Sequence, residues 1–415
     1  MAGLWISAVT LAPFGIVAVP IVIFIAWDLR GGLTAPSPET VAVRRVASDT
    51  RVLRGEPLRL EVSLENKGPD VKALLVRDFL PKGTRLVRGS TSMVCSLKRG
   101  EKARLRYEVA FDDPGEFGFY DLVATSASSF GLWERSAVLT APLSVRVYPR
   151  RAAREAQTTR ARAFAWTGTT ASKYRGGRVE FMDIRAYSPG DPLKSVNWRA
   201  SARSGGILVN EWQADRGLDC IVIVDLSPRN LPRVGWWSAR TAVIGASYEL
   251  AGVLIDGGNR VGMLIMGDVL HKVRPGFGSR HLRLMAENLV DSREGEVWSL
   301  GHAESFLELF FHRQYSNRGG TLFFVMAGPD EVALDTVTAL SRRGFSCNSV
   351  LVNTLDEETA ILKGGRSVGA KSVEFGRRFA KAEMDAYRVA FARVSSVYEW
   401  TDAAGFSKSR AILAR

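Results

Sequence analysis

Short segments that alternate apolar and polar positions fill the first third of the chain. Residues 58–64 and 104–110 are the clearest of them, and this period of two is typical of strands with one buried face. Turn-forming residues separate the segments at 66–69, 81–83, 98–100 and 112–115. The pattern predicts an all-β domain at residues 41–148, built as a β-sandwich of the immunoglobulin type.

The pattern changes after residue 219, where apolar runs that suit strands covered on both faces alternate with helical spacing. The apolar runs predict strands at 220–225, 260–266, 321–326 and 345–352. The helical spacing predicts helices at 238–255 and 331–342. This alternation predicts a doubly wound parallel α/β sheet at residues 219–400. Ligands of such sheets bind beyond the carboxyl ends of the strands, which is where Asp225 stands.

A long uncharged run extends from Leu4 to Trp27. As a helix it would reach roughly 36 Å, enough to cross a hydrocarbon core of about 30 Å once. A cleaved signal peptide is the other interpretation, but it needs basic residues before the apolar run and a shorter apolar part. Basic residues follow the run, beginning with Arg30. The positive-inside rule therefore predicts a single-pass protein of the cell membrane whose large remainder is cytoplasmic.

Charge and cysteine usage narrow the classes of partner. The net charge is +13. Residues 150–215 are predicted to form a basic linker and motif region. Within it, the segment 150–203 holds 12 basic and 4 acidic residues. This excess favours an anionic lipid or an acidic protein surface. Nucleic acid is not expected, because no recognised binding module accompanies the charge. The cysteines have no paired spacing, which fits a reducing compartment, and the four histidines show no metal-ligand spacing with them.

Two segments combine residue types that indicate a site. In the first, a turn at 188–191 precedes Trp198, which we expect to be buried as an anchor, and Asp191 can cap the helical turn between them. Arginines in the same segment can form bidentate bonds with carboxylates. The second segment is Asp225-Leu-Ser227, directly after the first parallel strand. A structural clasp between domains and a partner- or ligand-binding site are both open interpretations.

The first segment resembles the signature of the bacterial domain-of-unknown-function family 58. The residues that carry this resemblance are Arg185, Tyr187, Gly190, Asp191, Asn197, Trp198, Arg199, Arg203 and Glu211. Segments at 114–118, 128–133 and 147–149 are similar to that family as well, so the resemblance covers nearly the whole chain. Its central motif is specific.

The resemblance implies a layout and a partner. The layout is one of membrane segments near the amino terminus, a β-rich domain, the signature region and a von Willebrand factor A-like α/β domain. The implied partner is a MoxR-type AAA+ ATPase, because such proteins are commonly encoded beside one and are thought to act with it in assembly. The signature residues are then candidates for partner binding. This chain departs from many members in showing one predicted span rather than two.

The second segment raises the question of a metal. Domains of the von Willebrand factor A type often bind Mg²⁺ through Asp-x-Ser-x-Ser and oxygen ligands from other loops. Asp225 and Ser227 match this pattern, Arg229 replaces the second serine, and Ser279 can stand in for a threonine of another loop. Either these residues bind Mg²⁺, or they cap the end of the strand and no cofactor is bound. The positive charge of Arg229 favours the second interpretation.

No catalytic arrangement emerges from the spacing of residues. Residues 365–372 nearly match the phosphate-binding loop G-x-x-x-x-G-K-S, but Ala370 replaces the second glycine. We therefore expect a non-catalytic, membrane-anchored interaction or assembly protein. Its expected partners are a MoxR-type AAA+ ATPase, other membrane or cell-envelope proteins and an anionic lipid surface. The alternative is a metal-dependent, adhesion-type ligand-binding module that faces outside the cytosol.

Overall fold

The structure is a computed structural model of the 415-residue chain. It describes residues 20–28, 30, 37–127, 134–151, 179–188, 196–214, 219–234, 237–303, 320–364, 369–402 and 405–408. The chain divides into two compact units, Met1–Pro149 and Arg150–Arg415, here called the β unit and the α/β unit.

The predicted membrane span falls mostly outside the described residues. Of the range 4–27, only residues 20–27 are described, and they are helical. Apolar side chains there are exposed, with Trp27 73% accessible. Within the described ranges, no helix is both long enough and apolar enough to cross a membrane.

Nine strands make up the described part of the β unit. They are β1 (Val41–Ala47), β2 (Arg51–Leu53), β3 (Leu58–Asn66), β4 (Val71–Asp78), β5 (Thr84–Gly89), β6 (Ser92–Leu97), β7 (Lys102–Phe111), β8 (Gly115–Ala127) and β9 (Glu134–Tyr148). One sheet has the order β1-β3-β7-β5 and the other β2-β9-β8-β4-β6. Every second residue of β3 is buried, as its alternating sequence predicts, and side chains from both sheets form a single core.

A buried ion pair crosses this core. The guanidinium of Arg45 on β1 donates to both carboxylate oxygens of Asp78 at the end of β4, at 2.7 and 3.2 Å, and both side chains are fully buried. The hydroxyl of Tyr107 also donates to Asp78. Arg45 donates to the carbonyl of Ala141 on β9 and lies over the ring of Phe119. The network therefore joins the two sheets. Burial, followed by the bond to Asp78, raises the pKa of Tyr107 far above its usual range.

The α/β unit contains eleven strands and six helices among its described residues. The strands are β10 (Val179–Ala186), β11 (Leu208–Ala214), β12 (Asp219–Asp225), β13 (Arg233–Val234), β14 (Trp237–Ser238), β15 (Arg260–Met266), β16 (His271–Gly276), β17 (Thr321–Met326), β18 (Ser346–Val352), β19 (Ser396–Thr401) and β20 (Gly405–Lys408). The helices are α1 (Trp198–Ser204), α2 (Arg240–Asp256), α3 (Ser279–Asp291), α4 (Glu331–Arg342), α5 (Leu355–Gly364) and α6 (Ala370–Ala392).

Seven of these strands form one mixed sheet in the order β16-β15-β12-β17-β18-β19-β20. The inner five strands are parallel, and four of them are the predicted strands. The prediction of a wholly parallel sheet is wrong at the two edges, because β16 and β20 each return antiparallel to the strand before them. A hairpin return needs only a short turn, whereas a parallel neighbour requires a long crossover.

Both faces of the sheet are covered. Along β12, the side chains of Val222 and Val224 join a core that includes α2 and α3, whereas Ile221 and Ile223 join a second core with α4 and the end of α6. A strand buried on both faces needs an apolar residue at every position, which explains the continuous apolar run. The four predicted strands and two predicted helices of this unit are confirmed to within two residues at each end.

Candidate functional site

The order of the strands locates a crevice in the mixed sheet. From β12 the chain moves to β15 on one side, and it later enters β17 on the other side of β12. The carboxyl ends of β12 and β17 therefore flank the point at which the winding reverses. In open α/β sheets, ligands bind at such a point because the two connecting loops diverge from it.

Asp225 ends β12 at the base of this crevice and is fully buried. Its Oδ1 accepts hydrogen bonds from the backbone N–H of Ser227, at 3.0 Å, and from the Ser227 hydroxyl, at 2.7 Å. Its Oδ2 accepts from the side-chain amide of Asn230 at 2.6 Å. Burial raises the pKa of Asp225, and the nearby charge of Asp330 raises it further, while these three hydrogen bonds oppose the shift.

The loop after β17 forms the opposite wall. The backbone N–H of Gly328 donates to the carbonyl of Asn230 at 2.8 Å, which ties the two loops together. A Cβ at Gly328 would lie 3.3 Å from that carbonyl oxygen, so a larger residue would force the loops apart. The carboxylate of Asp330 caps α4 by accepting from the N–H of Ala333 at 2.8 Å.

Helices α5 and α6 close the remaining side of the crevice, which encloses a cavity of about 420 Å³. The cavity is lined by Arg229, Asn230, Pro232, Ala327, Gly328, Pro329, Asp330, Thr354, Leu355, Glu358, Ala380, Glu383, Met384 and Tyr387. These residues come from four separate stretches of sequence, which meet only because β12, β17 and β18 are neighbours.

Hydrogen-bond acceptors dominate the polar lining. Three carboxylates line the cavity, from Asp330, Glu358 and Glu383. Burial raises the pKa of Glu358, with a smaller contribution from Glu357, although the Thr354 hydroxyl donates to the Glu358 carboxylate at 2.6 Å. The Oδ1 of Asn230 is buried and accepts no hydrogen bond from the described residues. The three carboxylates outnumber the one cationic side chain of the lining, that of Arg229, so the crevice suits a ligand that carries hydrogen-bond donors and positive charge.

The predicted metal ligands are not brought together. Asp225 pairs with Met266 at the carboxyl end of β15, whereas Gly276, just before Ser279, pairs with Val261 at the amino end of that strand. Asp225 therefore lies at the carboxyl ends of the parallel strands, whereas Ser279 lies near their amino ends.

The donors that do surround Asp225 also fit a cation poorly. The Ser227 hydroxyl is directed to the carboxylate of Asp225, and the exposed Arg229 follows it in the chain. Among the described residues, no group of three or more His, Cys, Asp and Glu side chains has the geometry of a metal site.

The signature residues belong to a hairpin with a short helix. Strands β10 and β11 pair antiparallel, and Arg185 faces Val209 across them. Asn197 caps α1 by accepting from the N–H of Ala200 at 3.0 Å. Gly190 and Asp191 lie outside the described residues. Arg185 is a position on β10 and Glu211 a position on β11.

The prediction that Trp198 is buried is wrong, because its side chain is 65% exposed. It occupies the first turn of α1, beside the exposed Arg199, and Arg203 of the same helix is exposed too. Tyr187 is half-buried, and its backbone N–H donates to Ile207. The signature therefore presents a polar and aromatic surface on α1 instead of an internal anchor.

The phosphate-loop resemblance at residues 365–372 falls partly outside the described residues. From Gly369 onward the segment enters the first turn of α6. Among the described residues, the element before this helix is α5 and not a strand. A phosphate-binding loop of that kind connects a strand to a helix, so the structural context does not match the motif.

Sequence comparison finds a matching family model and distant relatives. Residues 183–343 match a family model described as "Protein of unknown function DUF58". The uncharacterized protein YeaD of Bacillus subtilis is 22% identical over 209 residues, which is 49% of this chain and 52% of YeaD. The uncharacterized protein Rv1480 of Mycobacterium tuberculosis is 28% identical over 109 residues, 26% of this chain and 34% of Rv1480. The chain thus spans about half, or less, of the relatives that it matches.

Structural comparison returns partial similarities. The conserved hypothetical protein BatB of Bacteroides thetaiotaomicron matches with a TM-score of 0.25 and 16% identity, covering 33% of this chain and 67% of BatB. The CARDB domain of the PF1109 protein of Pyrococcus furiosus matches with a TM-score of 0.18 and 17% identity, covering 26% of this chain and 91% of that domain. Neither similarity is close enough to transfer a property.

Proposed function

The chain belongs to the DUF58 family through its residues 183–343, and from this we propose that it is a non-catalytic, membrane-anchored assembly protein. Its α/β unit binds a partner protein in the crevice at the carboxyl ends of β12 and β17. The proposed partner is a MoxR-type AAA+ ATPase. The anchor in this proposal rests on the uncharged run from Leu4 to Trp27, and the basic segment 150–203 adds attraction to an anionic lipid surface.

We further propose the finer class of each unit. Five parallel strands covered by helices on both faces support a von Willebrand factor A-type domain in the α/β unit. Two largely antiparallel sheets around one core support an immunoglobulin-type sandwich in the β unit.

The observation that carries the proposed function is the polarity of the crevice. Three carboxylates line the cavity, against one cationic side chain, that of Arg229. A lysine or arginine side chain of a partner would supply both the donors and the positive charge, and a planar guanidinium can serve several acceptors at once. The cavity of about 420 Å³ is large enough for such a side chain.

The same geometry supports binding rather than catalysis. Asp330 accepts the N–H that begins α4, and Glu358 accepts the Thr354 hydroxyl, so both carboxylates have structural hydrogen bonds. Asp225 is fully buried and accepts three hydrogen bonds. A general base has to reach a substrate proton, and the burial of Asp225 opposes this.

Removing the negative charge of the crevice is expected to weaken partner binding. The double variant Glu358→Gln and Glu383→Gln keeps the shape of both side chains, and we expect it to raise the Kd for the AAA+ ATPase by about tenfold or more, since each lost charge-assisted hydrogen bond contributes about 1.5–3 kcal/mol. The measurement is calorimetric titration or pull-down of the full chain with the ATPase, in the apo, ADP and ATP states.

Glu374→Gln is the matched control, because Glu374 lies on α6 and outside the cavity lining. It is expected to bind as the unmodified chain does. Equal binding by the double variant and the control would exclude the crevice as the contact. Absence of association in every nucleotide state would refute the proposed partner itself.

A further inference from the structure

The outer side of α6 carries an apolar stripe. On the inner side of this helix Val373 and Phe391 are buried, and Phe391 joins the core beside the sheet. On the outer side, Phe375 is 73% exposed, Phe379 66% and Val389 39%. Two adjacent exposed phenylalanines on one helix are unusual for a surface without a partner.

The stripe has the spacing of a coiled-coil seam. It consists of Phe375, Phe379, Ala382, Ala386 and Val389, all of which are exposed. Successive members are separated by four, three, four and three positions, which is the heptad pattern by which one helix meets another. We call these five residues the α6 seam. Its spacing identifies a helix as the occupant, in preference to a flat surface or a strand.

The order of large and small residues selects the direction of that second helix. Phenylalanines occupy one end of the seam and alanines the middle. When two copies of α6 run antiparallel, Phe375 of each copy faces Ala386 of the other, and Phe379 faces Ala382. Each layer then combines one large and one small side chain, so the helices can stay evenly spaced. Parallel copies would stack phenylalanines at one end and alanines at the other.

The charges beside the seam agree with this direction. Arg378 and Asp385 lie on the same flank of the seam, one heptad apart. Across an antiparallel pair, Arg378 of each copy comes opposite Asp385 of the other, which gives two identical ion pairs. Within one copy, and among the described residues, these side chains bond to near neighbours of the same helix, Arg378 to Glu374 at 3.3 Å and Asp385 to Arg388 at 3.0 Å.

We propose that the α6 seam is the contact between two copies of this chain, related by a twofold axis that crosses the helix between residues 380 and 381. Such an axis makes the contact self-complementary, because residue i meets j while j meets i. Tethering to one membrane would raise the local concentration of the two copies and favour the pair. The proposal does not depend on the identity of the crevice's partner.

A first test measures self-association of the purified full chain in mild detergent by sedimentation velocity. We expect a monomer–dimer equilibrium whose Kd rises by at least about tenfold in the double variant Phe375→Ser and Phe379→Ser, because the dimer buries both rings. Leu284→Ser is the matched control, since Leu284 is an exposed apolar residue, 50% accessible, on α3. Unchanged thermal unfolding of the double variant would show that its monomer is intact.

A second test reads the direction of the helices by oxidative cross-linking, in a chain carrying Cys95→Ser so that the remaining native cysteines are buried. Ala382→Cys is expected to form a disulfide-linked dimer, because its two copies lie about 5 Å apart along the helices. Ala386→Cys alone is not expected to form this dimer, since its two copies are separated by roughly 17 Å along the helices. A chain with Ala386→Cys should, however, link to a chain with Phe375→Cys when the two are mixed.

Several outcomes would overturn the proposal. One is a chain that stays monomeric throughout the concentration series. Another is a dimer that Phe375→Ser and Phe379→Ser leaves unchanged. Self-linking by Ala386→Cys would indicate parallel helices and refute the geometry. Seam-dependent binding to anionic vesicles by a chain that does not self-associate would assign the seam to lipid instead.

Discussion

Replacing Asp78 by alanine is expected to lower the free energy of unfolding of the β unit by about 3–5 kcal/mol. The substitution leaves the guanidinium of Arg45, whose side chain is fully buried, without its carboxylate. It also removes the acceptor of the Tyr107 hydroxyl. Water cannot reach either group readily, so the cost of desolvating them is no longer offset.

The effect can be measured by hydrogen exchange of the full chain, read from peptides in β3 and β7, together with thermal unfolding. A loss of this size corresponds to a decrease in Tm of more than roughly 10 °C for a domain of about 100 residues. Asp112→Ala is the matched control, because Asp112 forms a solvent-exposed pair with Arg85 at 3.8 Å. It should cost at most about 1 kcal/mol. Similar losses in the two variants would contradict the structural role of the buried pair.

The buried strands of the α/β unit could be predicted because burial on both faces leaves a direct trace in sequence. Each of β12, β15 and β17 is an unbroken apolar run, and α2 ends where Gly258 adopts a φ of +82° that other residues rarely adopt. These signals are local, so they can be recognised without knowing the fold.

The direction of the edge strands could not be predicted in the same way. The sequence of β16 is compatible with either direction, and only its short connection to β15 distinguishes them. The direction of β16 decides at which end of the strands Ser279 lies. A parallel β16 would have brought Ser279 to the carboxyl ends of the strands, where Asp225 lies. The antiparallel β16 puts Ser279 near their amino ends.

Composition misled the prediction for Trp198. Tryptophan is buried on average, but α1 is a seven-residue helix beside a two-stranded hairpin, and there its ring is mostly exposed.

The crevice was only partly predictable for a different reason. Asp225 follows an obvious strand, whereas Asn230, Glu358 and Tyr387 reach the cavity through the order of the strands. The local signal for Asn230 was its position five residues after Asp225, which allows its amide to bond with that carboxylate.

Replacing Asp225 by alanine is expected to destabilise the α/β unit by about 3 kcal/mol. The change leaves the N–H and the hydroxyl of Ser227 and the amide of Asn230 without their acceptor. Each buried donor left unpaired costs about 1–3 kcal/mol, and small shifts of the loop recover part of the sum. Asp335→Ala, at an exposed position on α4, is the matched control and should change stability by no more than about 0.5 kcal/mol.

Asp225→Asn should behave differently, and the contrast tests the role of the orphan oxygen. The introduced amide keeps an oxygen for the donors of Ser227 and offers an N–H₂ group to Asn230. Rotation of the Asn230 amide then turns its Oδ1 toward that group, so the hydrogen bond is kept, while the Asn230 N–H₂ group takes the position of the unpaired oxygen. We therefore expect Asp225→Asn to lose less stability than Asp225→Ala at neutral pH.

The pH dependence of this difference follows from the raised pKa of Asp225. When the pKa of a carboxyl group is higher in the folded than in the unfolded state, the folded protein loses stability as pH rises from the lower to the higher pKa. In that interval the group ionises in the unfolded chain, whereas ionisation in the folded chain is less favourable. The unmodified chain should thus lose stability relative to Asp225→Asn as pH rises through this interval, with a constant difference above it. Urea unfolding of both chains across a pH series measures this. A difference that does not change with pH would show that Asp225 has the same pKa folded and unfolded, and that its three hydrogen bonds fully compensate its burial.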